Sequence, residues 1–459
     1  MAKSAKHFLS PLFIFLLILQ LSTAEYTIGV NYGMVADNLP PPSTVASFLK
    51  DKTTIDRIKL FDCNPDVLRA FANTGISVTV SVVNSDIIAL SKPQPAQDWI
   101  TANISPFYPQ TKINRIAVGN EVMATADKTL ISRLLPAMKS LYNALQKAGI
   151  TDIQVSTPHS LGILSASEPP SSGRFRRVYD RVIFAPILQF HNDTKSPFMI
   201  NPYPYFGYSA KTLDYALFKP NPGIFDKVTG KNYTNMFDAQ LDAVYSAMNR
   251  LGFGNVDIVV AETGWPSLGA PNQPAVNLEN ALSYNGNLVK HVNSGEGTPL
   301  MPNRTFETYI FSLFNENQKP MNIAERNFGL FRPDLTPVYD VGILRDGQTG
   351  SPTAPVTPAP IVTPAPSDSG KMWCVPKPDV SDEELQKNID YVCSLGSVDC
   401  TPIQDNGNCF TPNTIRSHAA FAMNAYYQTF GHQDFNCDFG GTGLIITSDP
   451  STDTCTYVS

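Results

Sequence analysis

The stretch Ile258-Val259-Val260-Ala261-Glu262-Thr263-Gly264-Trp265-Pro266-Ser267 decides how the chain is read. Its first four residues are apolar and mostly β-branched, the pattern of a strand covered on both faces. The run ends in a carboxylate, followed by a glycine and a Trp-Pro corner. A charge at the tip of a buried strand costs free energy unless it is paired or used. Glu262 is therefore either half of a structural ion pair or part of a site.

Working outward, further β-rich runs fall at 27–32, 57–61, 77–83, 113–119, 153–157, 198–203 and 309–314, with 258–262 as the seventh in order. Amphipathic stretches separate them. The clearest is 128–148, where Leu130, Leu134, Met138, Leu141 and Leu145 recur at helical spacing and Pro136 interrupts. A second helix is expected over 238–251, with Leu241, Val244, Tyr245 and Met248 on one face. Eight strands alternating with helices imply an α/β fold with a parallel sheet, and that number favours a closed (β/α)8 TIM barrel. A doubly wound open sheet is the alternative. No Gly-x-Gly-x-x-Gly loop follows the first run, which counts against a dinucleotide fold.

The two ends of the chain differ from this body. Lys3, Lys6 and His7 precede the apolar run 11–19, and Ser22, Thr23 and Ala24 follow. That order predicts a secretory signal peptide over 1–24, with an apolar run too short for a membrane span. No hydrophobic tail of the kind that precedes a glycolipid anchor is evident. The expected protein is secreted and extracellular, in the apoplast or cell wall, and a monomer. Residues 25–346 form the expected barrel domain. Residues 347–370, rich in Pro, Thr and Ala, read as an extended linker.

Residues 371–459 hold six of the seven cysteines: Cys374, Cys393, Cys400, Cys409, Cys437 and Cys455. An even set in a short exported module reads as a disulfide framework, and its spacing leaves fifteen connectivities open. No CxxC pair or histidine cluster suggests zinc, and no metal or cofactor is expected. Cys63 stands apart and reads as a small buried residue before a reactive thiol. Sequons at Asn103, Asn192, Asn232 and Asn303 are candidate glycan sites, with Pro106 weakening the first. The mildly acidic balance, a formal net charge of −6, argues against nucleic acid as a partner.

In such a barrel the active site lies at the C-terminal ends of the strands. The fourth run ends Val118-Gly119-Asn120-Glu121 and the seventh ends in Glu262. The first and sixth end at Tyr32 and at Asn201-Pro202-Tyr203, and the eighth runs into Asn315-Glu316-Asn317-Gln318-Lys319. Two carboxylates at one mouth suit glycoside hydrolysis, which needs a protonated acid at the leaving oxygen and an ionised carboxylate across the anomeric carbon. Asn120 suits a sugar hydroxyl, and the aromatic rings suit pyranose faces. His159, after the fifth run, is read as structural.

With these motifs in this order, the chain from about residue 28 to 340 resembles glycoside hydrolase family 17, the plant endo-β-1,3-glucanases. The resemblance implies a (β/α)8 barrel and retention of anomeric configuration. It makes Glu262 the nucleophile and Glu121 the general acid/base. Tyr32, Asn120 and Tyr203 are expected at the substrate from their strand tips, and the resemblance adds Glu316, Lys319 and Glu325 at or near the cleft in supporting roles. The tail, through Trp373-Cys374-Val375-Pro376, Asn408-Cys409-Phe410, Ser417-His418-Ala419 and Cys437-Asp438-Phe439, resembles carbohydrate-binding module family 43. That implies β-1,3-glucan (callose) as the bound polymer and the pairs Cys374–Cys437, Cys393–Cys400 and Cys409–Cys455. Phe421, Tyr426 and Tyr427 are then candidate sugar contacts, with core packing the competing role for each. A mixed β-1,3;1,4-glucan hydrolase and a catalytically silent callose-binding wall protein are the alternatives.

Overall fold

The computed structural model describes residues 28–345 apart from 271, 272 and 321, and residues 371–458 apart from 379, 395–397, 406, 430–433, 438, 440, 441 and 453. The expected signal peptide over 1–24 and linker over 347–370 lie outside the described residues. The chain divides into two compact units.

In chain order the first unit contains β1 (Ile28–Asn31), β2 (Arg57–Lys59), β3 (Ser77–Val82), β4 (Ile113–Val118), β5 (Gln154–Ser156), β6 (Pro158–Ser160), β7 (Leu164–Ala166), β8 (Arg174–Phe175), β9 (Phe198–Asn201), β10 (Ile224–Asp226), β11 (Lys231–Tyr233), β12 (Ile258–Thr263) and β13 (Thr308–Ile310). Nine of these make one sheet in the order β5-β4-β3-β2-β1-β13-β12-β9-β6. Its outermost strands, β5 and β6, are separated in the chain by Thr157 alone. β5 pairs in parallel with β4, and β6 pairs in parallel with β9. The fifth barrel strand is thus one extended segment split in two, and the sheet closes through it. Pro158 has no N–H to donate, so the ladder changes partner where it stands. This settles the choice between barrel and open sheet in favour of the barrel.

The eighth strand differs from the expected 309–314 and pairs only over Thr308–Ile310. The Phe311 N–H still completes the ladder at the Thr263 carbonyl, 2.8 Å away, but the Ser312 N–H turns to that of Phe328 at 3.0 Å. From there the chain builds the mouth instead of the ladder. The helix Lys128–Lys147 runs unbroken past Pro136 and buries the expected leucine stripe. The helix Met236–Arg250 starts earlier than its apolar stripe suggests, because Asn235 caps it by accepting from the Asp238 N–H.

The second unit pairs β14 (Trp373–Pro376) with β15 (Gly443–Ile446) in an antiparallel ribbon. Helices Asp382–Ser394 and Ile415–Thr429 pack beside it. Disulfides join Cys374 to Cys437, Cys393 to Cys400 and Cys409 to Cys455. Among the described residues no helix is long and apolar enough to cross a membrane.

Inside the barrel, Ala117, Met199, Val259, Ala261 and Tyr309 form a packed plug. Toward the N-terminal ends of the strands, Glu307 closes the base. Its carboxylate meets Arg115 Nη1 at 2.8 Å and Arg57 Nη1 at 3.5 Å, and accepts the Tyr309 hydroxyl at 2.7 Å. Burial pushes the Glu307 pKa up, but the two guanidiniums win and hold it at about 2. A depressed carboxylate pKa stabilises the fold above the ordinary glutamate range and loses that contribution as pH falls through the folded value. Glu307→Gln should therefore lower the unfolding free energy at neutral pH by about 3 kcal/mol. In denaturant titrations, the gap to wild type should narrow as pH drops from about 5 toward 2.

Candidate active site

The strand tips place their polar residues around one cleft of about 1250 Å³. Asn120, Glu121, Tyr203, Glu262, Glu316, Lys319 and Glu325 all line it. β12 carries Glu262 to its tip, where the residue is 6% exposed. Lys59 of β2 is fully buried and puts its Nζ 3.1 Å from Glu262 Oε1. The Tyr203 hydroxyl donates to Glu262 Oε2 at 3.2 Å. Gly264 follows because the backbone turns hard there: a Cβ would lie 2.2 Å from the Phe311 carbonyl oxygen.

Glu121 is presented differently. Gly119 adopts φ +69°, and an added Cβ would lie within 2.7 Å of Val122, Asn84 and Ile87. Glu121 itself is left-handed at φ 51°, uncommon for a residue with a side chain and of the kind found at functional sites. Asn84 secures this turn, accepting from the Asn120 N–H at 2.8 Å and donating to the Asn120 carbonyl at 3.1 Å. Asn201, at the tip of β9, donates to Glu121 Oε1 at 2.8 Å. The side-chain oxygens of Asn120 and Asn201 are buried and have no partner among the described residues. Both residues line the cleft, so these acceptors suit substrate hydroxyls.

The electrostatics separate the two carboxyls. Burial raises the Glu121 pKa first and the Glu262 charge raises it further, against Asn201 and Lys59. Burial lowers the Lys59 pKa, opposed by Glu262 and Glu121, so its charge depends on those carboxylates. Tyr203 is raised well above 10 by burial and by the same two glutamates, which keeps it a neutral donor.

Some expected residues stand elsewhere. Tyr32 is 1% exposed, packs edge-on against Phe314 and does not line the cleft, which takes Gly33, Met34 and Val35 from that loop instead. Glu316 lines the cleft, but its oxygens accept the Val35 N–H at 3.0 Å and Lys319 Nζ at 3.0 Å, tying the first loop to the eighth. His159 is wholly buried and stacks on Phe198, and burial lowers its pKa to about 3. Trp265 is also buried, donating to the Ala275 carbonyl at 2.9 Å, and shapes the loop without reaching the cleft. Cys63 lies 3.8 Å from the Ser81 carbonyl, and burial raises its pKa. Lys59 and Asn201 were not among the expected site residues. Lys59 had a signal: a charge set between Ile58 and Leu60 near the end of the second β-rich run.

A family model described as glycosyl hydrolases family 17 matches residues 28–343. The chain belongs to glycosyl hydrolase family 17. An X8 domain, the carbohydrate-binding module family 43 type, matches residues 372–444. A glucan endo-1,3-beta-glucosidase of Triticum aestivum is 52% identical over 98% of this chain and all of its own length. A glucan endo-1,3-beta-D-glucosidase of Olea europaea is 46% identical over 98% of each chain. Among solved structures, CJP38, a beta-1,3-glucanase and allergen of Cryptomeria japonica pollen, matches at 47% identity and TM-score 0.66, over 69% of this chain and 98% of its own.

In the X8 domain, Tyr427 is wholly buried, and Tyr426 is 9% exposed against Tyr391 and Phe439. Neither offers a ring face to a sugar, so packing is their role. Phe421 is half-buried beside Tyr457 and stays available. Of the sequons in the family 17 domain, Asn232 and Asn303 are exposed. Asn103 and Asn192 are half-buried, and their amides bond Trp99 and Asn255.

The two charges acting on Glu121 have opposite signs, which can be checked by carbon NMR of labelled glutamate. The Glu121 carboxyl should titrate above the ordinary glutamate range. Lys59→Met should move it higher, and Glu262→Gln should move it lower.

Proposed function

We propose that the protein is a secreted, retaining endo-β-1,3-glucanase that cuts internal bonds of callose-type glucans by double displacement. Glu262 is the nucleophile and Glu121 the general acid/base. The observation that supports this best is the unlike setting of two carboxyls in one cleft. One is ion-paired with a buried lysine, and the other has its pKa raised by burial and by the first.

Glu262 attacks the anomeric carbon while Glu121 gives its proton to the departing glycosidic oxygen. The ester so formed removes the Glu262 charge, one of the causes that raised the Glu121 pKa. Glu121, now ionised, takes a proton from the water that attacks the same carbon, and Glu262 leaves as the carboxylate. Lys59 faces one carboxylate charge at each resting stage, first on Glu262 and then on Glu121. Tyr203, Asn120 and Asn201 orient sugar hydroxyls, and Lys319, held by Glu316 and set over the Phe311 ring at 4.1 Å, flanks the cleft. The X8 domain binds the same polymer, so that two weak contacts become one stronger attachment. Export to the apoplast or cell wall, a monomeric state and glycans at Asn232 and Asn303 complete the reading.

On linear β-1,3-glucan, wild type should release mixed oligosaccharides with retained configuration. Glu262→Gln should lose about 10³-fold or more in kcat. Glucose as sole product, inversion, or an active Glu262→Gln variant would each overturn the assignment. Removing residues 347–459 should weaken binding to insoluble β-1,3-glucan by about tenfold or more, while turnover of short oligosaccharides stays unchanged.

A further inference from the structure

The loop after the fifth barrel strand carries a patch that the reaction does not use. The hairpin of β7 and β8 leads into Arg174-Phe175-Arg176-Arg177-Val178-Tyr179-Asp180-Arg181-Val182. Phe175 points inward, while Arg174, Arg176, Arg177 and Arg181 are exposed. Among the described residues none of these four guanidiniums is in an ion pair, in a chain whose net charge is −6. Of the four, Arg176 alone has a side-chain hydrogen bond among the described residues, from Nε to the Gly162 carbonyl at 2.5 Å. The acid within the run, Asp180, accepts the Arg181 backbone N–H at 2.8 Å and makes no ion pair with these arginines.

The backbone here is unusual as well. Val178, a β-branched residue, sits at φ 77° and is 65% exposed, and a π-helical turn, Asp180–Phe184, follows. Positive φ is unfavourable for valine, and both strain and π-turns gather at functional sites. Packing does not account for the conformation of a side chain that points into solvent. Gly162, bonded to Arg176, lines the cleft, so the patch borders the glucan-binding groove.

We propose that this corner is a second polysaccharide site, one that takes a polyanionic chain with repeated carboxylates, a polyuronate, beside the neutral glucan in the cleft. Arginine forks pair with carboxylates in two-point geometry, and several together hold a chain that repeats its charge. A lipid surface fits less well. The large apolar residues exposed here are Val178, between the arginines, and Val182, just after them, without the Trp, Phe or Leu that anchor an interfacial helix. The site is independent of the glucanase assignment and serves to hold the protein in a mixed matrix.

The test uses the full-length protein and a triple variant, Arg174→Ser, Arg177→Ser and Arg181→Ser. Affinity is measured at low ionic strength for polygalacturonate, for its fully methyl-esterified form and for phosphatidylserine vesicles. Hydrolysis of soluble β-1,3-gluco-oligosaccharides is measured alongside. Wild type should bind polygalacturonate, ignore the ester, and weaken as salt is raised. The variant should bind about tenfold more weakly or worse, with hydrolysis unchanged. Absence of wild-type binding, equal binding by the variant or the ester, or tighter binding to the vesicles would overturn the proposal. Loss of hydrolysis on neutral oligosaccharides by wild type would instead count against the glucanase reading.

Discussion

A lysine with no exposure to water has to keep its charge inside a protein barrel, and the site is arranged around that constraint. Lys59 sits where the pleat of β2 turns it inward, above the apolar plug. Removing one member of such a pair typically costs about 3–5 kcal/mol, because the other is left charged and buried. Glu262 at the tip of β12 is the partner that prevents this, 3.1 Å away. In the proposed reaction the same contact fixes the carboxylate that attacks. Glu121, on another strand and a left-handed turn, feels both charges and ends with its pKa raised. Chemistry and charge balance are therefore one problem here. In the proposed reaction, when covalent bond formation removes the charge of Glu262, the proton leaving Glu121 supplies a replacement.

The rim repeats the device at lower cost. Glu316 is 3% exposed and pairs with Lys319, while its second oxygen takes the Val35 N–H. Gly33 makes room for this, since a Cβ would come within 2.3 Å of that carboxylate. Loops after the first and eighth strands are thereby tied together, and Lys319 is held over the Phe311 ring. A carboxylate that looks like a sugar ligand in the linear chain becomes a fastening between loops, and its lysine faces the cleft.

Much of this was legible in the chain, for stated reasons. Ile258–Thr263 and Ile113–Val118 declare themselves because strands covered on both faces must be apolar, which makes a terminal glutamate conspicuous. The cluster of six cysteines likewise declares a small module. What stayed hidden depends on neighbours distant in sequence. The break at Thr157 is a change of pairing partner, and nothing local to the run names either partner. Tyr32 and Tyr427 are aromatic residues near the expected sites, yet their rings turn into the core, a choice made by the far side of the packing. Asn201 was seen at its strand tip, but only the closed barrel brings its amide within 2.8 Å of Glu121.

The two units hold their shape by different means, and the cysteines show why. The family 17 domain has one large apolar cluster, from Ile28 and Val30 through to Val341 and Ile343, beside the small plug inside the barrel, and needs no covalent help. Its cysteine, Cys63, has no disulfide partner and sits beside a carbonyl, where burial keeps the thiol protonated. The module is too small for such a core. Its apolar residues fall into two clusters, and in each the cysteines themselves are among the buried members. Disulfides spanning separations of 63 and 46 residues remove freedom from its unfolded chain that packing alone would have to offset. Frameworks of this kind form and persist where thiols are oxidised, and they are the usual substitute for a large core in a small module.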